Sequence, residues 1–218
     1  MTENMSNQTV SVRDLSFSYD GVETVLSHLS FQQEPGVLAV TGPSGCGKTT
    51  LLKLLSGLEE PDEGQIFFGD EDVTRVAARK RKVAFIFQDA GLYPHLTAYQ
   101  HILMMCHDDL RTKELLSACG IARYVNCKPQ HLSRGERQKL ALAKCFATDA
   151  RLYLMDEPMS AIDERGKERL YAYLKEWQRE KNAIVLYVSH REEDIRSLAD
   201  TVLDLTPPDF PKAYDEEE

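Results

Sequence analysis

The segment that most constrains this chain is GPSGCGKT, residues 42–49, which matches the pattern G-x-x-x-x-G-K-[ST]. An apolar run, residues 37–42, leads into it, and a run of helix formers, residues 49–58, follows it. In such a unit the glycines let the backbone wrap closely, so that successive N–H groups and the helix start converge on phosphate oxygens. We therefore predict an α/β fold built around a phosphate-binding loop. A glycine-rich turn that fits the pattern by chance is the disfavoured alternative.

We predict specific roles for three side chains of this loop. Lys48 is predicted to reach the β- and γ-phosphates of a nucleotide, and the Thr49 hydroxyl to ligate Mg²⁺. Cys46 is predicted to lie near the nucleotide, where its thiol is open to modification.

A second candidate site follows the apolar run in LYLMDEP, residues 152–158. Asp156 is predicted to hold Mg²⁺, directly or through water, and Glu157 to polarise an attacking water as general base. Two adjacent acids alone are more often a solvated turn. The buried strand before them favours the functional interpretation, because ligands of open α/β sheets bind at the carboxyl ends of the strands.

Apolar runs along the rest of the chain predict further strands. Residues 9–19 alternate in part and are interpreted as an edge-type strand, and strands are also predicted at 66–69, 82–88 and 183–190. Helical stretches separate the apolar run at 152–157 from the one at 183–190, and this alternation indicates a parallel sheet covered by helices. We predict one domain with an α/β core (1–89 and 147–205), an inserted helical subdomain (90–146) and an acidic tail (206–218).

Composition narrows the class of protein. The chain has 218 residues and a net charge of −9, which argues against nonspecific nucleic-acid binding, so no nucleic-acid partner is expected. Its five cysteines form no C-x-x-C pair and suit a reducing cytosol. The N-terminus has no signal-peptide pattern, and the longest apolar run, residues 183–188, is too short to span a bilayer.

Further motifs show that the sequence resembles the ATP-binding subunits of ABC transporters, over about residues 19–205. The family signature LSGGQ matches LSRGE at 132–136, and the acidic turn SALD matches SAID at 160–163. The lone glutamine after a strand matches Gln88, the switch histidine matches His190, and the adenine-stacking aromatic matches Tyr19. No N-K-x-D stretch is present, which disfavours a Ras-type GTPase.

Each of these matches has a simpler alternative when taken alone. Gln88 could be an ordinary strand-end glutamine, His190 a strand cap and Tyr19 a surface aromatic. Asp163 could only begin the helix that follows it. Ser133 and Glu136 form a capping-box pattern, which a helix start explains without any chemistry. Because all of these motifs occur together in the right order and spacing, coincidence is negligible.

The resemblance implies a P-loop NTPase core with a mainly parallel sheet, an N-terminal antiparallel β part and an inserted helical subdomain. It also implies a head-to-tail homodimer or heterodimer with two ATP molecules between the subunits. In such a dimer Ser133 and Gly135 face a γ-phosphate across the interface, and His190 holds that phosphate and the attacking water. Asp163 links the two sites, and Gln88 senses Mg²⁺ and water.

The resulting predicted site residues form three groups. The catalytic group is Glu157, His190, Lys48 and Gln88, and the metal group is Thr49, Gln88 and Asp156. The nucleotide contacts are Tyr19, Gly42, Pro43, Ser44, Gly45, Cys46, Gly47, Lys48, Thr49, Thr50, Ser133, Gly135, Glu136 and Asp163. The implied cofactors are ATP and Mg²⁺.

The resemblance further implies separate transmembrane permease subunits, contacted mainly through residues 90–102, and a position on the cytoplasmic face of the cell membrane. LYPHLT and HREED look most like importers of the carbohydrate-uptake group. Three alternatives stay open: an exporter-type ATPase, a soluble mechanochemical ABC ATPase, and a module that binds ATP without hydrolysing it.

This sequence departs from the family signature at two positions, where Arg134 replaces glycine and Glu136 replaces glutamine. A carboxylate that pointed at ATP would repel phosphate, but capping-box geometry would turn it toward its own helix start. We expect the signature to remain competent, because Ser133 and Gly135 are present.

Overall fold

The structure, a computed structural model, describes residues 8–87 and 90–206. Its strands are β1 (Val10–Ser18), β2 (Thr24–Gln33), β3 (Gly36–Thr41), β4 (Glu63–Phe68), β5 (Glu71–Asp72), β6 (Val83–Ile86), β7 (Leu152–Asp156), β8 (Ile184–Val188) and β9 (Thr201–Asp204). Its α-helices are α1 (Lys48–Ser56), α2 (Ala78–Arg81), α3 (Ala98–Cys106), α4 (Asp109–Ala118), α5 (Arg134–Ala147), α6 (Glu164–Lys181) and α7 (Glu192–Leu198). Two short 3-10 helices lie at Ala122–Tyr124 and Pro129–His131.

The larger sheet has the order β6-β7-β8-β3-β9, with parallel pairing throughout. Its central strands are apolar on both faces, as a sheet covered on both sides requires. In β8, Val185 and Tyr187 pack into one hydrophobic cluster with α5 and α6, while Leu186 and Val188 pack into a second cluster with α1 and the other sheet. This double burial explains why the sequence shows continuous apolar runs rather than alternation.

The smaller sheet is antiparallel, in the order β2-β1-β4-β5. The interpretation of residues 9–19 as an edge-type strand is wrong, because β1 pairs with both β2 and β4. Its pairing with β2 shifts register between Val12 and Leu15, and Asp14 has a φ of 51°. Such irregularities break the period-two pattern, so a central strand looked like a peripheral one. Strand β2 was not identified in the sequence.

Helix α1 is fixed at its carboxyl end by a buried arginine. The Arg81 guanidinium donates hydrogen bonds to the carbonyls of Leu54 (2.7 Å), Leu55 (3.1 Å), Thr74 (2.9 Å) and Val76 (2.7 Å). Burial lowers the pKa of Arg81, but a guanidinium keeps its charge at neutral pH. A cation at this end suits the helix dipole, and it anchors the helix whose other end forms the phosphate-binding loop.

Between β6 and β7 the described residues form the three helices α3, α4 and α5 and the two 3-10 helices. Apolar side chains of these helices, including Ile102, Leu115 and Leu140, join the hydrophobic cluster on one face of the parallel sheet. In the part of the chain that the structure describes, no helix combines the length and apolar character needed to cross a bilayer.

Candidate functional site

The loop between β3 and α1 has the backbone that the glycine spacing predicted. Gly42, Gly45 and Gly47 have φ values of 130°, 85° and 97°, a region that side chains disfavour. A Cβ on Gly47 would also lie 2.8 Å from the Leu26 side chain. Gly47 is the N-cap of α1 and makes no side-chain capping bond, so the first N–H groups of the helix are left for a ligand.

The Lys48 side chain folds back over this loop and is almost fully buried, at 6% exposed. Its ammonium donates hydrogen bonds to the carbonyls of Gly42 (2.9 Å) and Pro43 (2.7 Å) and lies 3.8 Å from the Cys46 sulfur. A buried cation held only by neutral carbonyls is suited to an anionic ligand. The structure therefore places Lys48 beside Cys46 in the phosphate-binding loop.

Two oxygen-bearing side chains meet beside the loop. The Thr49 hydroxyl donates a 2.7 Å hydrogen bond to Oδ2 of Asp156, which ends β7 and is 6% exposed. Hydroxyl and carboxylate oxygens are ligands that Mg²⁺ accepts. Within residues 8–87 and 90–206 there is no cluster of three or more His, Cys, Asp or Glu side chains suited to a metal. A magnesium ion here would need further oxygens, such as those of a nucleotide.

Glu157 and His190 form a pair at the ends of β7 and β8. The Glu157 carboxylate lies 3.1 Å from Nε2 of His190. Both residues line one cavity with Lys48, Thr49 and Asp156. The carboxylate thus stands beside the phosphate-binding loop with one oxygen engaged by the imidazole, so the structure brings the predicted base and the predicted switch histidine into one site.

The loop that carries His190 is fixed through its neighbour Ser189, which bonds to the buried carboxylate of Asp194. That carboxylate accepts hydrogen bonds from Ser189 Oγ (2.8 Å) and Tyr171 Oη (2.5 Å). Lys167 Nζ lies 3.7 Å from it and has no hydrogen-bond partner among the residues that the structure describes. Burial, and then the bond to Asp194, raise the pKa of Tyr171 and keep its hydroxyl protonated. This cluster was not predicted from the sequence, because its members are scattered along the chain.

Tyr19 lies at the mouth of the same cavity with half of its surface exposed. Its hydroxyl is 3.2 Å from Thr50 Oγ1, its ring packs edge-on against Phe17, and Lys53 Nζ lies 5.6 Å from the ring centre. An exposed aromatic face fixed beside a phosphate-binding loop is suited to stacking on a base.

The signature segment begins α5 through a complete capping box. Ser133 Oγ accepts a hydrogen bond from the Glu136 N–H (3.3 Å), and Glu136 Oε2 accepts one from the Ser133 N–H (2.8 Å). Partial burial favours the neutral form of Glu136. Hydrogen bonds from the Tyr124 hydroxyl and from Ser133 outweigh it and hold the pKa of this carboxyl below its usual range. The carboxylate therefore stays charged and is turned toward its own subunit, where Arg123 lies 3.7 Å away.

The structure does not bring the signature into the cavity of the phosphate-binding loop. That cavity is lined by Tyr19, Val25, Ser44, Gly45, Gly47, Lys48, Thr49, Thr50, Asp156, Glu157 and His190. Ser133, Gly135 and Glu136 are not among these residues. Asp163 is the N-cap of α6 and accepts a 2.7 Å hydrogen bond from the Gly166 N–H, as the helix-start alternative expected. Gln88 lies outside the described residues.

Sequence reasoning missed Gln138, which connects α5 to the segment after β7. Its side chain is 4% exposed and makes three hydrogen bonds to residues 157–161. A signal was present, because Gln138 is a polar residue in the helical stripe that includes the buried residues Ala141, Leu142 and Cys145.

Ala90 and Tyr93, of the predicted contact segment 90–102, line an open groove with a cavity volume of about 360 Å³. Its lining includes the exposed or half-exposed side chains of Leu58, Phe87 and Tyr93. Lys144 lies over the Tyr93 ring, 5.0 Å from its centre, and donates a 3.0 Å bond to the Gly91 carbonyl. An exposed apolar and aromatic groove of this kind is typical of a protein contact surface.

Comparison with known proteins agrees with this geometry. The ABC transporter family profile matches residues 26–160. The sulfate/thiosulfate import ATP-binding protein CysA of Gloeobacter violaceus is 34% identical over 204 residues, covering 89% of this chain and 59% of that protein. The trehalose/maltose import ATP-binding protein MalK of Thermococcus litoralis is 34% identical over 197 residues, covering 84% of this chain and 53% of that protein. The chain thus spans little more than half the length of these relatives.

A solved structure shares the fold. A dimeric ATP-binding cassette in a post-hydrolysis state, bound to ADP and Pi, superposes with a TM-score of 0.78 at 26% identity, covering 89% of this chain and 93% of that one. The predicted fold class is confirmed: an α/β P-loop core with a mainly parallel sheet, an N-terminal antiparallel part and a helical insert. The resemblance inferred from the motifs is confirmed as well, and the chain belongs to the ABC transporter family.

Proposed function

We propose that this chain is the ATP-binding and ATP-hydrolysing subunit of an ABC transporter, and that it powers import through separate membrane subunits. The observation that carries the proposal is the pair of Glu157 and His190, 3.1 Å apart, in one cavity with Lys48 of the phosphate-binding loop. A general base, its orienting partner and a phosphate-binding cation are the groups that hydrolysis of a phosphoanhydride needs.

The side chains of this cavity have different roles in the proposed reaction. Lys48 and the N–H groups at the start of α1 bind the phosphates and offset their charge, and Tyr19 stacks on the base. Glu157 accepts the proton of the attacking water, and His190 orients the Glu157 carboxylate and the water. Loss of hydrolysis, as in a pure binding module, is disfavoured because all of these groups are present.

Mg²⁺ fits the oxygen pair of Thr49 and Asp156, which lie in hydrogen-bond contact beside the loop. When bound, it would neutralise phosphate charge during the reaction. We propose that Asp156, held almost fully buried at the end of β7, and the Thr49 hydroxyl at the start of α1 are its protein ligands, with Gln88 as a further contact.

The second half of the nucleotide site is proposed to come from another subunit. Ser133 and Gly135 stand at the start of α5 but do not line the cavity that holds Lys48. In a head-to-tail dimer this helix start would meet the γ-phosphate bound by the partner subunit. Glu136 would not oppose this contact, because its carboxylate is bonded back to Ser133. Asp163 would link the two sites.

The groove that Ala90 and Tyr93 of the segment 90–102 line is proposed to bind the permease. This contact would place the chain on the cytoplasmic face of the membrane. The exposed Tyr93 ring and the neighbouring apolar side chains support a contact with a helix of a membrane protein. Import is proposed because the similar proteins CysA and MalK are named import ATP-binding proteins.

The test combines phosphate release with partner capture. The full chain should release phosphate from ATP with Mg²⁺ present and stop when EDTA removes the ion. Capture from its own membranes should retain integral membrane subunits, and Tyr93→Asp should lose them. Leu110→Asp, a change at an exposed apolar residue on α4, serves as the matched control and should retain them.

Each failure points to a different alternative. Absence of phosphate release from a chain that binds ATP would indicate a pure binding module. Hydrolysis without a membrane partner, stimulated instead by ribosomes or DNA, would favour the soluble mechanochemical ATPase.

A further inference from the structure

A buried glutamine joins the signature helix to the segment that carries the proposed base. Gln138 lies on α5, five residues after Ser133, and its side chain is 4% exposed. It packs against the turn after β7 rather than against solvent. A buried amide has two donors and one acceptor oxygen to satisfy, so its partners define a fixed arrangement.

Three hydrogen bonds fix that arrangement. Gln138 Nε2 donates to Ser160 Oγ (2.8 Å) and to the carbonyl of Glu157 (3.3 Å). Gln138 Oε1 accepts a bond from the N–H of Ala161 (2.7 Å). The amide thus uses both of its functional ends on the segment 157–161.

The backbone that Gln138 holds is unusual. Glu157 has a φ of 47°, a left-handed conformation that a residue with a side chain adopts only when its surroundings impose it. The Glu157 N–H donates to the carbonyl of Val188 (3.1 Å), which fixes one side of the residue. On the other side, the Glu157 carbonyl accepts from Gln138 and from the Ser160 N–H (3.3 Å).

We propose that Gln138 is a positioning residue for ATP hydrolysis: it holds the backbone of Glu157 in the left-handed conformation that aims the carboxylate at His190. The proposal rests on the proposed role of Glu157 as general base. Gln138 does not line the cavity that contains Lys48, so its proposed effect on the reaction is indirect, through the position of Glu157.

The same contact gives the signature a mechanical connection to the base. Gly135, one turn before Gln138, is so close to residue 161 that a Cβ on it would lie 2.6 Å from the Ala161 carbonyl. A displacement of α5, when Ser133 engages a phosphate of the partner subunit, would therefore move the Glu157 carbonyl through Gln138. One helix would connect the nucleotide site of the partner to the base of its own subunit.

The experiment is a double-mutant cycle on the full chain. Gln138→Leu removes all three bonds, and Gln138→Glu keeps the shape but removes donation to Glu157. Each should lower kcat about tenfold and leave the KM for ATP within about twofold, because the phosphate-binding loop is untouched. In a Glu157→Gln background, where the base is already lost, Gln138→Leu should change the residual rate by less than about twofold.

The matched control is Gln178→Leu. Gln178 is also a buried helical glutamine, 7% exposed, and its Nε2 donates to the Ala183 carbonyl (2.7 Å) far from the cavity. This variant should keep kcat within about twofold, so that loss of a buried amide alone does not explain the effect.

The outcomes are distinct. An unchanged kcat for Gln138→Leu, or an equal loss with and without the Glu157 carboxylate, would overturn the positioning role and leave the proposed function standing. Normal turnover by Glu157→Gln would remove the proposed base, and with it the role of Gln138. A tenfold loss that disappears in the Glu157→Gln background is the result we expect.

Discussion

The two regions that carry nucleotide motifs differ in how complete they are. In the α/β core, Lys48 and Asp156 are both buried and line one cavity with Glu157 and His190. Lys48 bonds to carbonyls of its own loop, and Asp156 accepts a bond from Thr49. In the helical region, Ser133 caps α5 at an exposed position, and the bond that its hydroxyl makes among the described contacts is the one from the Glu136 N–H of its own capping box. The core brings its phosphate-binding and acidic side chains into one cavity, whereas the signature forms a helix start outside that cavity.

This difference suggests that the two regions serve different molecules of nucleotide. Substitutions in the core should affect binding or chemistry within one chain. Substitutions in the signature should affect only the state in which two chains are joined.

The largest effect is expected in the core. Glu157→Gln should lower kcat at least about 100-fold, because the amide cannot accept a proton from water, while ATP binding to the single chain stays near normal. Steady-state phosphate release and an ATP-binding titration measure the two quantities. A variant that hydrolyses ATP at the wild-type rate would show that another group is the base.

A smaller effect is expected in the signature. Ser133→Ala should lower the kcat of the dimer about 10- to 100-fold, the range for loss of a bond to a charged group, without weakening ATP binding to the single chain. Asp108→Ala is the matched control, because Asp108 caps α4 by accepting from the Arg111 N–H (2.9 Å) and lies outside the site. Equal losses in both variants would mean that the cap, and not a phosphate contact, explains the result.

The helical region should also respond to pH. Burial lowers the pKa of His101, against its bond to the Thr97 carbonyl, and nearby Lys144 and His95 add to the shift. The neutral ring donates to that carbonyl (2.7 Å) and accepts from the Tyr93 N–H (2.9 Å), so protonation removes the acceptor.

The sign of the stability change follows from the lowered pKa. At a pH above the histidine pKa of the unfolded chain, about 6.5, His101 makes its full contribution to the free energy of unfolding. As the pH falls below it, the unfolded chain binds a proton that the folded chain excludes, and stability drops by at most about 1.4 kcal/mol per pH unit. Urea unfolding between pH 7.5 and 5.5 should show this slope, reduced in His101→Gln. The exposed His131, changed to Gln, is the control and should keep the slope.

The smallest effect is expected at the signature carboxylate. Glu136→Gln should change kcat less than about twofold, because the side chain bonds back to Ser133 and an amide oxygen can accept the same bond. A rise of tenfold or more would indicate that the carboxylate faces phosphate in the dimer.

Local sequence patterns predicted the parts of the site that short-range physics determines. The glycine spacing of 42–49 specified the loop, and Ser133 with Glu136 specified the capping box that the structure contains. The order of motifs identified the family. These features depend on residues that are neighbours in the chain.

Features that depend on long-range packing were missed. A bulge in β1 between Val12 and Leu15 hid a central strand, because the extra residue reverses the side that the following residues face. Gln138 bonds to Ala161, which is far from it in sequence, and Asp194 bonds to Ser189 across a turn. A buried polar residue in an apolar stripe was the available signal for Gln138. The domain boundaries near residues 90 and 146 stay predictions.

The most direct test of the two-region account is the nucleotide dependence of assembly. Sedimentation velocity of the Glu157→Gln chain across a concentration series should show a monomer without nucleotide or with ADP, and a dimer holding two ATP molecules when ATP is bound. A chain that is saturated with ATP and stays monomeric at every concentration would contradict the claim that the signature completes the site of a second chain.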